Sequence, residues 1–250
     1  MSEAKVAIIT GASSGIGRAT AIALSKAGWS IVLFARRLDQ LRETQGQCED
    51  PSRCLCFEGD VSNESSVQEL FRYTISKLGR LDLLFNNAGI SAPAIPTEEL
   101  SLELFQRVTN VNLVGTFLCT REAVKIFKNQ TPTGGRIVNN GSIAAYAPRP
   151  HALPYTATKH AITGLTKSVA LDGRAFNISC TQIDIGNATT PMAAGQMQGV
   201  LQPDGRIAAE ATFDPRHVAD AVVHIASLPL DVTVLNFTIM ATGMPYVGRG

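Results

Sequence analysis

The stretch Val6-Ala7-Ile8-Ile9-Thr10-Gly11-Ala12-Ser13-Ser14-Gly15-Ile16-Gly17 decides the architecture. Five residues of strand-like apolar sequence run into three glycines spaced GxxxGxG, and a segment of helical period starts at Gly15. Glycines at such a strand–helix turn permit a tight bend and close backbone approach to a phosphate. The N–H groups and the helix N-terminus then supply positive potential. Gly11, Ser13, Ser14, Gly15, Ile16 and Gly17 are therefore candidate contacts to the pyrophosphate of a dinucleotide. The spacing is not the GxGxxG of the common fingerprint, and such a turn can also be merely structural. Its place in the first βα unit favours the cofactor role.

Further along, short apolar runs alternate with helical segments. Residues 5–10, 30–35, 54–58, 81–86, 136–140, 177–183 and 236–240 read as strands, rich in Val, Ile, Leu and Phe and apolar on both faces. That pattern suits strands buried within a parallel sheet. Helices are expected at 15–27, 38–47, 64–78, 102–128, 155–171 and 215–227. The alternation implies an α/β fold: a doubly wound, seven-stranded parallel sheet with helices on both faces. No repeat or linker divides the chain, so residues 1–250 are expected to form a single domain. Residues 186–212 show little periodicity, and after the sixth strand such a segment suits a substrate lid.

Composition narrows the function. Of 250 residues 45% are hydrophobic, enough for a sizeable core, and 22 Lys+Arg face 21 Asp+Glu. That balance gives no reason to expect nucleic acid or an anionic membrane surface as a partner. No signal peptide is visible, and no apolar run approaches the roughly 20 residues that span a bilayer. A soluble cytoplasmic protein is the simplest expectation. Cys48, Cys54, Cys56, Cys119 and Cys180 show no metal-ligand spacing, so no metal site is expected and they read as reduced core thiols.

About 20 residues past the glycines, the second strand's end should meet the adenosine ribose. An acid there would hold both ribose hydroxyls, but the chain has Ala35-Arg36-Arg37. Two guanidiniums favour NADP(H), with NAD(H) still possible, unless the arginines are simply solvated loop charges. Asp39 lies too far on to replace the missing acid and reads as a helix N-cap.

Tyr155 and Lys159 stand four apart at a helix start, hence on one face. A phenol is a poor base at neutral pH, because it titrates near 10. A cation about 4 Å away is worth ~4 kcal/mol at an effective dielectric near 20, but only ~1 kcal/mol in water. The pair can do acid–base work only in a partly desolvated cleft. Ser142 ends the fifth strand in Asn139-Asn140-Gly141-Ser142, at the sheet edge where such folds bind ligands. Asn86-Asn87-Ala88-Gly89 ends the fourth strand at the same edge. Asn112 falls inside the long helix, an awkward place for an amide without partners.

In these motifs, together with Gly59-Asp60-Val61, the chain resembles the short-chain dehydrogenase/reductase family over nearly its whole length. The resemblance implies a Rossmann-type fold and an enzyme that interconverts a small ketone or aldehyde and its alcohol. It implies Tyr155 as general acid/base and Lys159 as its activator and ribose contact. Ser142 would polarise the carbonyl, and Asn112 would support a water relay to Lys159. Asp60 with Val61, and Asn87 with Ala88 and Gly89, match positions along the cofactor. After the sixth strand the family has Pro-Gly and then a Thr that binds the carboxamide; here Ile185 replaces the proline, while Gly186 and Thr190 are kept. Loop stiffness is what that replacement puts in question.

A homo-oligomer, a tetramer, is likewise implied by the resemblance. The family's glycine-rich finish is replaced by residues 240–250, read as either a disordered end or a segment crossing a subunit interface. His151, with Arg149 and Leu153, is a candidate pocket residue from proximity, in a pocket expected to be moderately apolar through Ile143, Tyr146, Leu153 and Met192. Two competing readings stay open: an NAD-preferring alcohol dehydrogenase of the same family, and a cofactor-binding sensor or scaffold without catalysis.

Overall fold

The computed structural model describes residues 4–194 and 199–247. Seven strands, β1 (Val6–Thr10), β2 (Ser30–Ala35), β3 (Cys54–Glu58), β4 (Leu83–Asn86), β5 (Gly135–Asn140), β6 (Ile178–Ile185) and β9 (Asn236–Ile239), form one sheet. Its order is β3-β2-β1-β4-β5-β6-β9, and every pairing is parallel. Strand order reverses between β1 and β4. In such sheets the crevice outside the carboxyl ends at the reversal is the ligand site.

Alternate residues of one strand feed two cores, which is why the strands read as continuous apolar runs. Ala7 and Ile9 of β1, with Ile31 and Leu33 of β2, face one layer; Val6 and Ile8, with Val32 and Phe34, face the other. Helices α1 (Gly15–Lys26) and α7 (Arg216–Ser227) cover the first layer through Leu24, Val218, Val222 and Ile225. Helices α3 (Glu64–Leu78) and α5 (Gly115–Asn129) cover the second through Val67, Leu70, Phe71, Leu118 and Phe127. Each such Leu, Ile or Phe contributes about 1.5–3 kcal/mol by leaving water.

The helix expected over 102–128 is not uniform. It comprises α4 (Leu102–Thr109), a π-helical turn at Asn110–Val114, and α5. A wider turn of this kind inserts a residue into the ladder and marks functional sites; Asn112 sits at its middle. Of the remaining helices, α2 spans Leu38–Gly46 and α6 spans Leu153–Asp172. Asp39 is not the cap of α2: Arg37 holds that position, and Asp39 is an exposed acid in the first turn.

Residues 186–212 hold more structure than periodicity suggested. A short antiparallel pair, β7 (Val200–Leu201) and β8 (Ile207–Ala208), stands apart from the main sheet. Two-residue strands are too short to leave a periodic signal. Residues 195–198 of this segment lie outside the described residues.

Strand β6 runs two residues further than its sequence suggests, with Asp184 opposite Thr238 and Ile185 opposite Ile239 of β9. Ile185, where the proline was expected, is buried in the core and continues the pairing. The exit from β6 is therefore set by strand pairing in place of a pyrrolidine ring. The segment around Met244 folds back on that exit: Met244 is buried, and a Cβ on Gly186 would meet its Sδ at 2.9 Å. The last three residues, 248–250, lie outside the described residues.

None of the five cysteines is bridged, and Cys56 alone is only partly buried. Burial pushes the Cys119 and Cys180 thiols up to about 12.

Candidate active site

A cleft of about 570 Å³ opens at the carboxyl edge of the sheet. Its floor is stitched together by Thr10. The Thr10 hydroxyl accepts from the backbone N–H groups of Asn87 and Ala88, each at 2.9 Å, and Asn87 Nδ2 donates back to the Thr10 carbonyl at 3.0 Å. This ties the end of β4 to the end of β1. Gly11 follows with φ +66°, and an added Cβ would lie 2.9 Å from Ala88 Cα. Only glycine combines that conformation with that approach. Gly17 is buried in the first turn of α1, where a side chain would collide with the Gly11 carbonyl.

The entrance to α1 suits an anion. Ser14 occupies the N-cap with extended backbone and no side-chain cap, and the first turn holds no acidic residue. The first N–H groups of a twelve-residue helix thus meet the cleft without a competing carboxylate. Gly11, Ser13, Ser14, Gly15 and Ile16 line it; Gly17 lies beneath. Arg18, which sequence reasoning did not single out, donates from Nη2 to the Ser13 carbonyl at 2.7 Å and steadies the loop.

Just past the end of β2, Arg36 and Arg37 both line the cleft and are exposed. They are not equivalent: Arg37 Nη2 donates to Ser13 Oγ at 3.3 Å, so its guanidinium lies over the phosphate loop. Asp60 and Val61 form the opposite wall. Asp60 Oδ1 accepts from the N–H and hydroxyl of Ser62 at 2.9 and 2.8 Å, which fixes the carboxyl. The cradle, its open helix end and the flanking arginines together fit a nicotinamide dinucleotide.

At the other end, α6 carries Tyr155 and Lys159, which both line the cleft. Pro154 lies in its first turn, where a missing N–H costs nothing, so the helix begins two residues before Tyr155. Lys159 is buried at 6% exposure, with Nζ 5.4 Å from the Tyr155 ring centroid. Its ammonium donates to the Asn140 carbonyl at 2.6 Å, and Asn140 Nδ2 donates to Asn87 Oδ1 at 2.9 Å. The lysine is therefore linked through Asn140 to the residues that build the cradle. The dipeptide Asn139-Asn140 was visible in the sequence, but not this coupling.

Ser142 faces the same cleft. Its Oγ accepts from the Ala144 N–H at 3.1 Å, leaving the hydroxyl hydrogen for another acceptor. Asn112 does not line the cleft. Its Oδ1 accepts from Ile90 N–H at 2.8 Å, and Nδ2 donates to the Ile90 carbonyl at 2.9 Å and to Thr158 Oγ1 at 3.4 Å. It reaches Lys159 only through these neighbours, by holding the wall at Ile90 and the residue before the lysine.

The far end of the cleft is mostly apolar, with Ile90, Ala92, Ile143, Pro150, Met192 and Val200. Thr190 lines it as well, while Thr189 is turned into pairing with Phe213. Three expected pocket residues fall elsewhere. His151 is exposed, with φ +59°, on the outer side of its loop. Leu153 points outward, and Tyr146 directs its hydroxyl to Asp184 Oδ2. Arg149 does line the cleft, bonded from Nη2 to Asn187 Oδ1 at 2.8 Å and Glu210 Oε2 at 2.5 Å. Burial opposes charge on Glu210, but hydrogen bonds from Arg149, Asn187 and Gln202 outweigh it and hold the carboxyl at about 2.

Among the described residues, no group of three or more His, Cys, Asp or Glu could hold a metal ion, and no helix is long and apolar enough to cross a membrane.

Fold and cleft together define a dinucleotide-binding oxidoreductase. A model of the short chain dehydrogenase family matches residues 5–200, and the chain belongs to the short-chain dehydrogenase/reductase family. It is 36% identical over 207 residues to a 3β-hydroxysteroid dehydrogenase of Mediterraneibacter gnavus, covering 82% of this chain and 74% of that one. Among solved structures, it superposes on 3-ketoacyl-(acyl-carrier-protein) reductase of Brucella melitensis complexed with NADH at TM-score 0.84, with 27% identity, covering 96% and 98% of the two chains. It also superposes on an actinorhodin polyketide ketoreductase variant with NADPH at TM-score 0.85, with 28% identity, covering 96% and 97%.

Proposed function

We propose that the enzyme interconverts a small ketone or aldehyde and its alcohol with NADP(H), using Tyr155 as general acid/base. The observation that carries this reading is the Tyr155, Lys159 and Ser142 grouping in one cleft with the phosphate cradle, the ammonium anchored on Asn140. When bound, the nicotinamide supplies or accepts the hydride. In reduction Ser142 donates a hydrogen bond to the carbonyl oxygen and Tyr155 delivers the proton that makes the alcohol; in oxidation the proton returns. Lys159 is buried with its ammonium beside the Tyr155 ring, where its charge stabilises negative charge that develops on the phenol oxygen during proton transfer. Asn112 keeps Ile90 and Thr158 in register around the pair. Thr190 meets the carboxamide end, and residues 186–212 close over the substrate as a lid.

Arg36 and Arg37 support NADP(H): Arg37 donates to Ser13 Oγ at the cradle, and a guanidinium there would suit a 2′-phosphate. A second reading, NAD(H) preference, is favoured by the likeness to a reductase complexed with NADH. The relatives act on a hydroxysteroid, a 3-ketoacyl group and a polyketide by their names, so they leave the substrate open. Screening a panel of ketones, aldehydes and alcohols with both cofactors tests all of this. Turnover with NADPH, at a KM well below that for NADH, is expected; an NADH preference overturns the ribose-end argument. Binding without turnover across the panel favours a sensor.

A further inference from the structure

Asp184 was not among the candidate site residues, yet it is fully buried at the end of β6, beside the catalytic edge. Its two oxygens accept four hydrogen bonds, all from neutral donors. Oδ1 takes the Ser142 backbone N–H at 3.0 Å and Gln182 Nε2 at 2.6 Å. Oδ2 takes the Tyr146 hydroxyl at 3.0 Å and Asn236 Nδ2 at 2.6 Å. One carboxyl group therefore grips both ends of the turn 142–146, of which Ile143–Ala145 is a 3₁₀ turn. Gly141 makes room for it, since a side chain there would collide with Asp184 Oδ1.

The consequence falls on Ser142. Its N–H is held from β6 by Asp184 and its Oγ by the Ala144 N–H at 3.1 Å, so both backbone and hydroxyl are fixed before any substrate arrives. A hydrogen-bond donor that polarises a carbonyl is effective only in such a preset position, and a 1 Å displacement can cost about 100-fold in rate. We propose that Asp184 is a positioning residue, acting on the reaction through Ser142, with Tyr146 and Asn236 supporting it. This rests on the reading of Ser142 as the carbonyl-polarising group.

The test compares Asp184→Ala and Asp184→Asn, each in the wild-type and Ser142→Ala backgrounds. Turnover is followed by NADPH oxidation with ethyl acetoacetate, or with the best carbonyl of the panel where that is not reduced. Asp184→Ala is expected to lower kcat by about 30-fold or more, with NADPH affinity within about 2-fold. In the Ser142→Ala background the same change should cost less than about 2-fold, because the group it positions is gone. Asp184→Asn should stay within about 5-fold of wild type: its oxygen can serve Ser142, while the Tyr146 hydroxyl reverses and the Asn236 amide flips. In the wild-type protein, amide hydrogen exchange at Ser142 should be protected by at least about 100-fold.

Wild-type kcat in Asp184→Ala, equal losses in both backgrounds, or an unprotected Ser142 amide each overturns the proposal. If Asp184→Ala does not fold, Tyr146→Phe replaces it, expected to lower kcat about 3-fold or more in the wild-type background alone; no loss there overturns the proposal. Full activity of Ser142→Ala sinks the reading of Ser142 itself, while the exchange rate still reports on the Asp184 contact.

Discussion

Lys159 Nζ donates to the backbone carbonyl of Asn140 at 2.6 Å, so the ammonium beside Tyr155 is anchored to the sheet edge by the protein alone. A charge held this way acts at a defined place and loses little freedom when the cofactor arrives. Lys159→Met keeps the stem and removes the charge. It should lower kcat by about 10²- to 10⁴-fold, the usual span for losing acid–base assistance. Steady-state kinetics at saturating NADPH checks this, and a loss below 10-fold speaks against the coupling.

The two arginines after β2 should separate on substitution. Arg37 reaches Ser13 Oγ, whereas no bond ties Arg36 to the phosphate loop. Charge-assisted hydrogen bonds are worth about 1.5–3 kcal/mol, or roughly 10- to 150-fold in affinity. Arg37→Ala should raise KM for NADPH by about that factor and change KM for NADH less than about 2-fold. Comparing both cofactors on one preparation decides it; equal effects on the two would mean that Arg37 only braces the loop.

Thr10 links function to stability. Its hydroxyl serves the N–H groups of both Asn87 and Ala88. Thr10→Val keeps the shape but leaves two donors without that partner, at about 1–3 kcal/mol each. A loss of about 2–6 kcal/mol is expected in urea unfolding, along with weaker NADPH binding. Unchanged stability would show that other acceptors replace the hydroxyl.

Glu210 predicts a pH signature. Its carboxyl is held at about 2 in the fold, against an ordinary value of 4.5. A depressed folded value stabilises the protein above the unfolded value, and that contribution is lost as pH falls from about 5 towards 2. Its size is roughly 3 kcal/mol as an upper figure. Glu210→Gln should therefore be clearly less stable than wild type at pH 7, with the gap narrowing by pH 3. Denaturant midpoints at the two pH values report it, and a constant gap would assign the loss to packing instead.

The sheet was legible because its strands are buried on both faces, so that residues 6–9 and 31–35 read as unbroken apolar runs. Tyr155, Ser142 and the glycine turn were legible because each lies at or near an element's end, where chain order dictates sheet-edge position, and Lys159 follows one helical turn after Tyr155. The π-helical turn at Asn110–Val114 was not, since its hydrophobic period barely differs from that of an α-helix. Arg149 and Glu210 stand 61 residues apart, and Asp184 lies 42 from Ser142; only folding brings such partners together. His151 shows the opposite error, because nearness in sequence to Ser142 and Tyr155 did not turn it into the cleft.

Tyr155→Phe tests most directly whether Tyr155 moves the proton, because the ring and its packing remain while the hydroxyl goes. NADPH binding, followed by cofactor fluorescence, and carbonyl reduction are measured on the same preparation. The expected result is NADPH affinity within about 3-fold of wild type and kcat at least about 10³-fold lower. Carbonyl reduction at the wild-type rate by Tyr155→Phe would contradict the account.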